Sequence, residues 1–219
     1  MARYKPLAVF GIVAAVAPIA AGQITDIPLF QGMAREDFES FTNYRDNPNR
    51  FEPEPMEILD GLAFAGSLDE NIIIYKPGYA DYMLDRFGNA GVVDGAQALA
   101  LDPGGNLMIV FRNPAVDFGA FFGCGRRSYD RYGFLNATFY DQNFEILTQK
   151  TFFYHGGANN KGGLEWHGWH STKLIGAIEF NAHNLAVDSL RVNVVPEPPP
   201  LFTLLICLLV IRFWNHAKR

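Results

Sequence analysis

Eight short runs of apolar, β-branched and aromatic residues, separated by glycine, proline, asparagine and aspartate, limit what this chain can fold into. They fall at 72–75, 106–111, 118–122, 136–140, 145–148, 151–154, 175–180 and 185–192. Runs of this composition between turn signals read as β-strands. Asp141-Gln142-Asn143 lies between two of them as a hairpin turn. Helical periodicity is scarce, with room for a turn or two at 34–41 and 80–87. Many short strands with regular turns predict an all-β fold, an antiparallel jelly-roll β-sandwich.

The two ends carry a different kind of information. Arg3 and Lys5 precede an apolar run over 7–21, and Ala20, Ala21 and Gly22 close it. A basic start, an apolar stretch and a small-x-small site predict a secretory signal peptide over 1–22, cut by signal peptidase after Gly22. An uncleaved anchor is the alternative, and both readings export the chain. At the other end Pro196, Glu197 and Pro198 lead into an apolar segment over 201–211, followed by Arg212, Lys218 and Arg219. The basic end resists crossing a bilayer and holds the preceding domain outside. The apolar run is shorter than the ~20 residues of a relaxed span, which suits an anchor meant to be cut.

In this order the tail resembles the PEP-CTERM sorting signal of Gram-negative bacteria. The resemblance implies processing by exosortase, a membrane protease-transpeptidase, with the inner membrane as an intermediate station. Pro199, Pro200 and the loose spacing of the basic end depart from the pattern, and an ordinary C-terminal anchor is the competing reading. The chain therefore divides into a signal peptide at 1–22, a body at 23–194 and a sorting signal with a transmembrane helix at 195–219.

Of 18 basic and 23 acidic residues, five basic ones (Arg3, Lys5, Arg212, Lys218, Arg219) and one acidic one (Glu197) lie outside the body. The body keeps 13 basic and 22 acidic residues, a net charge of −9. That balance excludes a nucleic-acid partner, which needs a basic footprint. Of the two cysteines, Cys207 is in the tail and Cys124 is alone in the body, so the body has no internal disulfide and its core must hold it together.

The body also resembles the jelly-roll domains that many PEP-CTERM proteins carry. The resemblance rests on Asp37-Phe38-Glu39, Asp60-Gly61-Leu62-Ala63-Phe64, Phe111-Arg112-Asn113-Pro114-Ala115-Val116 and Val187-Asp188-Ser189-Leu190. It looks like the rhythm of carbohydrate-binding jelly rolls. There a structural Ca²⁺ joins the first and last strands, which implies Glu39 and Asp188 as ligands, with Asp37 and Asp60 as helpers.

The most chemical-looking stretch is Glu165-Trp166-His167-Gly168-Trp169-His170. On a strand, residues three apart point to opposite faces, so His167 and His170 do not chelate one ion. Trp166 and Trp169 either offer a face to a sugar ring or pack the core. There is no nucleophile elbow, phosphate loop or His-Glu-x-x-His. The reading is an exported, non-enzymatic surface or matrix protein with weak binding to extracellular polysaccharide. A secreted jelly-roll glycoside hydrolase or polysaccharide lyase is the alternative.

Overall fold

The computed structural model describes residues 24–41, 55–67, 72–75, 92–101, 106–124, 132–155, 164–182 and 185–196. The expected signal peptide, the tail beyond Pro196 and the expected turn at 80–87 lie outside the described residues.

Every regular element among the described residues is a strand, and all pairings are antiparallel within one hydrogen-bonded sheet. The strands are β1 (Ile24–Ile27), β2 (Ala34–Glu36), β3 (Met56–Ile58), β4 (Ala63–Ser67), β5 (Ile72–Tyr75) and β6 (Ala98–Leu101). Five longer ones follow: β7 (Asn106–Cys124), β8 (Tyr132–Tyr140), β9 (Ile146–His155), β10 (Glu165–Ala182) and β11 (Leu185–Val194). The all-β, antiparallel expectation is borne out. Two expected strands, at 106–111 and 118–122, are one: β7 runs on through Pro114.

Proline cannot donate to a ladder and is confined to strand edges and bulges. Here it sits in a bend. The β10 register against β7 slips between His170 and Ile175 and again between Ile175 and Ala177. Opposite the slip, the Val195 N–H donates to the Pro114 carbonyl at 2.9 Å. Gly176 lies in the same irregularity, where a Cβ would run into the carbonyl of Asp141. Bulges bend strands and increase their twist. Because β7 and β10 both bend here, one sheet becomes two facing halves.

In the first half β3, β4, β7, β10, β8 and β9 lie side by side, using 107–111 of β7 and 177–182 of β10. In the second half β6, β11, β7, β10 and β1 do so, using 115–124 of β7 and 165–170 of β10. β5 extends the second half beyond β6, and β2 pairs with β11 beside it.

The inner faces meet through aromatic rings. Phe180 of the first half lies 5.0 Å from Phe122 and 6.0 Å from Phe118 of the second. Phe139 and Phe152 approach Trp169 at 5.3 and 5.5 Å. Phe118, Phe122, Phe139, Trp169 and Phe180 form one buried cluster with the surrounding Ile, Leu and Val residues, and Phe152 packs against it half-buried. Each large side chain taken from water contributes about 1.5–3 kcal/mol.

Three turns are pinned by two carboxylates. Asp141 Oδ1 accepts the N–H groups of Asn143 and Glu145 at 2.8 and 2.9 Å, closing the hairpin between β8 and β9. Buried Glu36 accepts those of Phe38 and Leu59 at 2.9 and 3.0 Å. Both residues have positive φ, 62° and 56°, a conformation non-glycine residues rarely adopt. One carboxylate thus holds two left-handed turns.

Candidate functional site: a polar groove on the first half-sheet

The outward face of the first half-sheet carries polar side chains in cross-strand rows. Asn106, Asn181, Asn136 and Thr151 are successive neighbours across β7, β10, β8 and β9. In the next row Glu179, Thr138 and Gln149 follow one another. Alternation sends Leu135, Ala137 and Phe139 inward, where they are buried, and leaves Asn136, Thr138 and Tyr140 outside. Of these, Asn136, Thr138, Tyr140, Gln149, Thr151, Glu179 and Asn181 line a groove of about 430 Å³.

Hydrogen bonds stiffen the groove floor. Glu179 accepts from Asn106 Nδ2 at 2.8 Å and from the Tyr140 hydroxyl at 2.7 Å. Thr151 donates to Asn136 Oδ1 at 2.6 Å, and Gln149 donates to Thr138 at 3.3 Å. The bond to Glu179, with burial adding to it, pushes the Tyr140 phenol up to about 12. Tyr140 therefore stays protonated and donating at neutral pH.

Aromatic rings stand near the groove. Phe134 and Phe153 are paired across β8 and β9 in the row beyond Asn136 and Thr151, 56% and 67% exposed. On the hairpin side, Phe144 is exposed at φ 61° with its ring 6.4 Å from Tyr140.

Comparison with protein-family models returned no match. Comparison with curated proteins returned none either. Among solved structures, the chain is similar to an arabinose-bound α-L-arabinofuranosidase, MgGH51, at 12% identity and TM-score 0.39, over 74% of this chain and 27% of that one. It is similar to TmCBM61 in complex with β-1,4-galactotriose at 8% identity and TM-score 0.36, over 73% and 99%. The K2 cleaved adhesin domain of Lys-gingipain follows at 12% identity and TM-score 0.40, over 74% and 97%. The chain spans about a quarter of the arabinofuranosidase.

The tryptophans are elsewhere, on the second half-sheet. Trp169 is 2% exposed and stacked on Phe118 at 6.3 Å with an interplanar angle of 3°. A ring with both faces in the core offers none to a sugar, so of the two roles open to Trp169 the structure assigns packing. Trp166 is half-buried and lies against Gly119 and Gly168, where a Cβ at either position would collide with its ring. Its Nε1 donates to the Ile27 carbonyl at 3.2 Å, and Phe30 and Phe121 meet it edge-on at 5.8 and 5.3 Å. Trp166 fastens the chain around β1 to the sheet. His167 packs on Phe152 at 4.1 Å, and burial lowers its pKa. His170, on the opposite face, bonds Asp117 at 2.7 Å.

Glu39 and Asp188 do converge, on one loop. Glu39 Oε1 accepts the N–H groups of Ala96 and Gln97 at 2.6 and 2.7 Å. Asp188 Oδ2 accepts those of Val93 and Asp94 at 2.6 and 3.1 Å, and Oδ1 that of Ser189 at 2.6 Å. Five donors thus point at the two carboxylates. Among the described residues no group of three or more His, Cys, Asp and Glu could hold a metal. The pair forms a clasp on residues 93–97. Asp37 and Asp60, the expected helpers, stand by the Glu36 turns, and Asp37 accepts the Glu39 N–H at 3.1 Å.

The groove was missed by sequence reasoning. Its signal lies in β8, where Phe134, Asn136, Thr138 and Tyr140 alternate with Leu135, Ala137 and Phe139. A polar, uncharged outer stripe on a long strand points to a surface with work for its hydroxyls and amides.

Proposed function

We propose that this chain is an exported, non-enzymatic surface or matrix protein, delivered by exosortase acting on its Pro196-Glu197-Pro198 tail, with a jelly-roll body that binds extracellular polysaccharide. Signal peptidase would remove 1–22, and the basic end (Arg212, Lys218, Arg219) would hold the intermediate in the inner membrane. The observation that carries the reading is where the sheet stops. β11 ends at Val194, and among the described residues the Val195 N–H makes the last backbone bond, one residue before Pro196. A cut at the motif would therefore leave all eleven described strands intact.

The groove supports a binder over the hydrolase. Glycoside hydrolysis uses two carboxyl groups across the scissile bond, and among the described residues Glu179 is the one carboxylate in the groove lining. Its two oxygens are held by Asn106 and Tyr140.

Intact mass and fractionation, in a Gram-negative host with and without exosortase, test the sorting. Loss of both 1–22 and the residues beyond the motif is expected only when exosortase is present. A full tail retained in the membrane of both hosts would falsify it.

A further inference from the structure

We propose that the groove over β10, β8 and β9 binds a neutral polysaccharide, one presenting hydroxyl or N-acetyl groups and no carboxylate, sulfate or phosphate. This rests on the polysaccharide-binding reading above and assigns its site and ligand class.

The charge inventory excludes acidic glycans. The cation in the lining is Lys150, and its ammonium turns away to Asp26 of β1 at 2.7 Å. Lys150 pairs with Ala137, a buried inward position, which places its side chain on the inner side of the sheet. What an acidic sugar would meet is Glu179, whose charge is held in the floor by Asn106 and Tyr140. Phosphate and carboxylate recognition calls for a cation aimed at the ligand.

The neutral inventory fits hydroxyl groups. Thr151 takes one lone pair of Asn136 Oδ1, a bond that does not use the two N–H donors of the same amide. The Gln149 bond uses a Thr138 lone pair and leaves the Thr138 hydroxyl free to donate and the Gln149 carbonyl free to accept. Asn181 is exposed between Asn106 and Asn136. Such side chains both give and accept hydrogen bonds, as sugar hydroxyls do. Phe134 and Phe153 add apolar surface for the C–H faces of sugar rings at the end of the same face. Because bonds within the floor pre-order these groups, binding immobilises few of them.

The test is affinity electrophoresis of the full chain in detergent micelles through gels containing neutral galactan, neutral xylan, alginate or polygalacturonate. The wild type, an Asn136→Ala/Asn181→Ala double variant and Phe153→Ala are compared. Retardation is expected in at least one neutral gel and in neither acidic gel. The double variant should weaken binding about tenfold, as losing two neutral hydrogen bonds implies, with its melting temperature unchanged because both positions face out of the core. Retardation that ignores all three substitutions overturns the groove and leaves the polysaccharide reading in place. Preference for alginate or polygalacturonate overturns the ligand class. No retardation in any gel overturns polysaccharide binding with it, while the mass measurement of tail processing stands apart.

Discussion

Replacing Trp169 by alanine should lower the folding free energy by about 3–5 kcal/mol, the range for deleting a large aromatic from a core. Its ring touches both halves of the bent sheet: Phe118 and Phe122 in the second, Phe139, Phe152 and Phe180 in the first. Removing it leaves a cavity at the junction, where rigid strands on both sides cannot collapse inward. Trp166→Ala should cost less, since that ring is half-buried at the rim. Chemical denaturation followed by far-UV circular dichroism gives the comparison. A Trp169→Ala protein within 1 kcal/mol of wild type would show that the two halves are not held together here. Total stabilities of about 5–15 kcal/mol make the expected loss a large share.

The second large effect depends on pH. Burial pushes the Asp188 carboxyl up to about 7, from an ordinary value of 3.8, against the lowering pull of the Val93 and Ser189 N–H groups and of Arg35. Asp37 adds to the rise. A folded-state pKa above the unfolded one means that the native state holds the proton more tightly. This contribution to stability is complete below about pH 4 and is lost as pH climbs through 7. Asp188→Asn keeps an acceptor for the loop and cannot ionise. Its melting temperature relative to wild type should therefore rise steadily from pH 4.5 to pH 7.5. A constant difference over that window would rule out a titrating Asp188. Asp188→Ala should be worse at every pH, because the amides of Val93, Asp94 and Ser189 lose their partner, at about 1–3 kcal/mol for each donor left buried.

Strand type and antiparallel pairing were legible because apolar runs and turn residues are local. Asp141-Gln142-Asn143 announces a hairpin, and the structure closes one there with Asp141 Oδ1. The bend was not legible. Pro114 reads as a stop, and its role as a hinge within β7 depends on the slipped register of β10, some 60 residues later. The Trp-His stretch misled for a similar reason. Trp166 finds its place because Gly119, on a paired strand, leaves room for its ring, and nothing near Trp166 in sequence records that pairing. The groove has the same distributed origin. β8 supplies a visible stripe, but Glu179, Asn181 and Asn106 join it only through ladder register. Glu39 and Asp188 meet at the amides of residues 93–97, a loop that neither residue's own sequence neighbourhood points to.

β11 is an interior strand, with β7 along one edge and β6 and β2 along the other. The chain leaves it at Val194 for the Pro196 segment. Any tension arriving through that segment pulls along the β11 axis and must shear the ladders on both edges at once. The molecule is gripped by its middle, so a tug that would unzip a peripheral strand one bond at a time is here shared among many bonds in parallel.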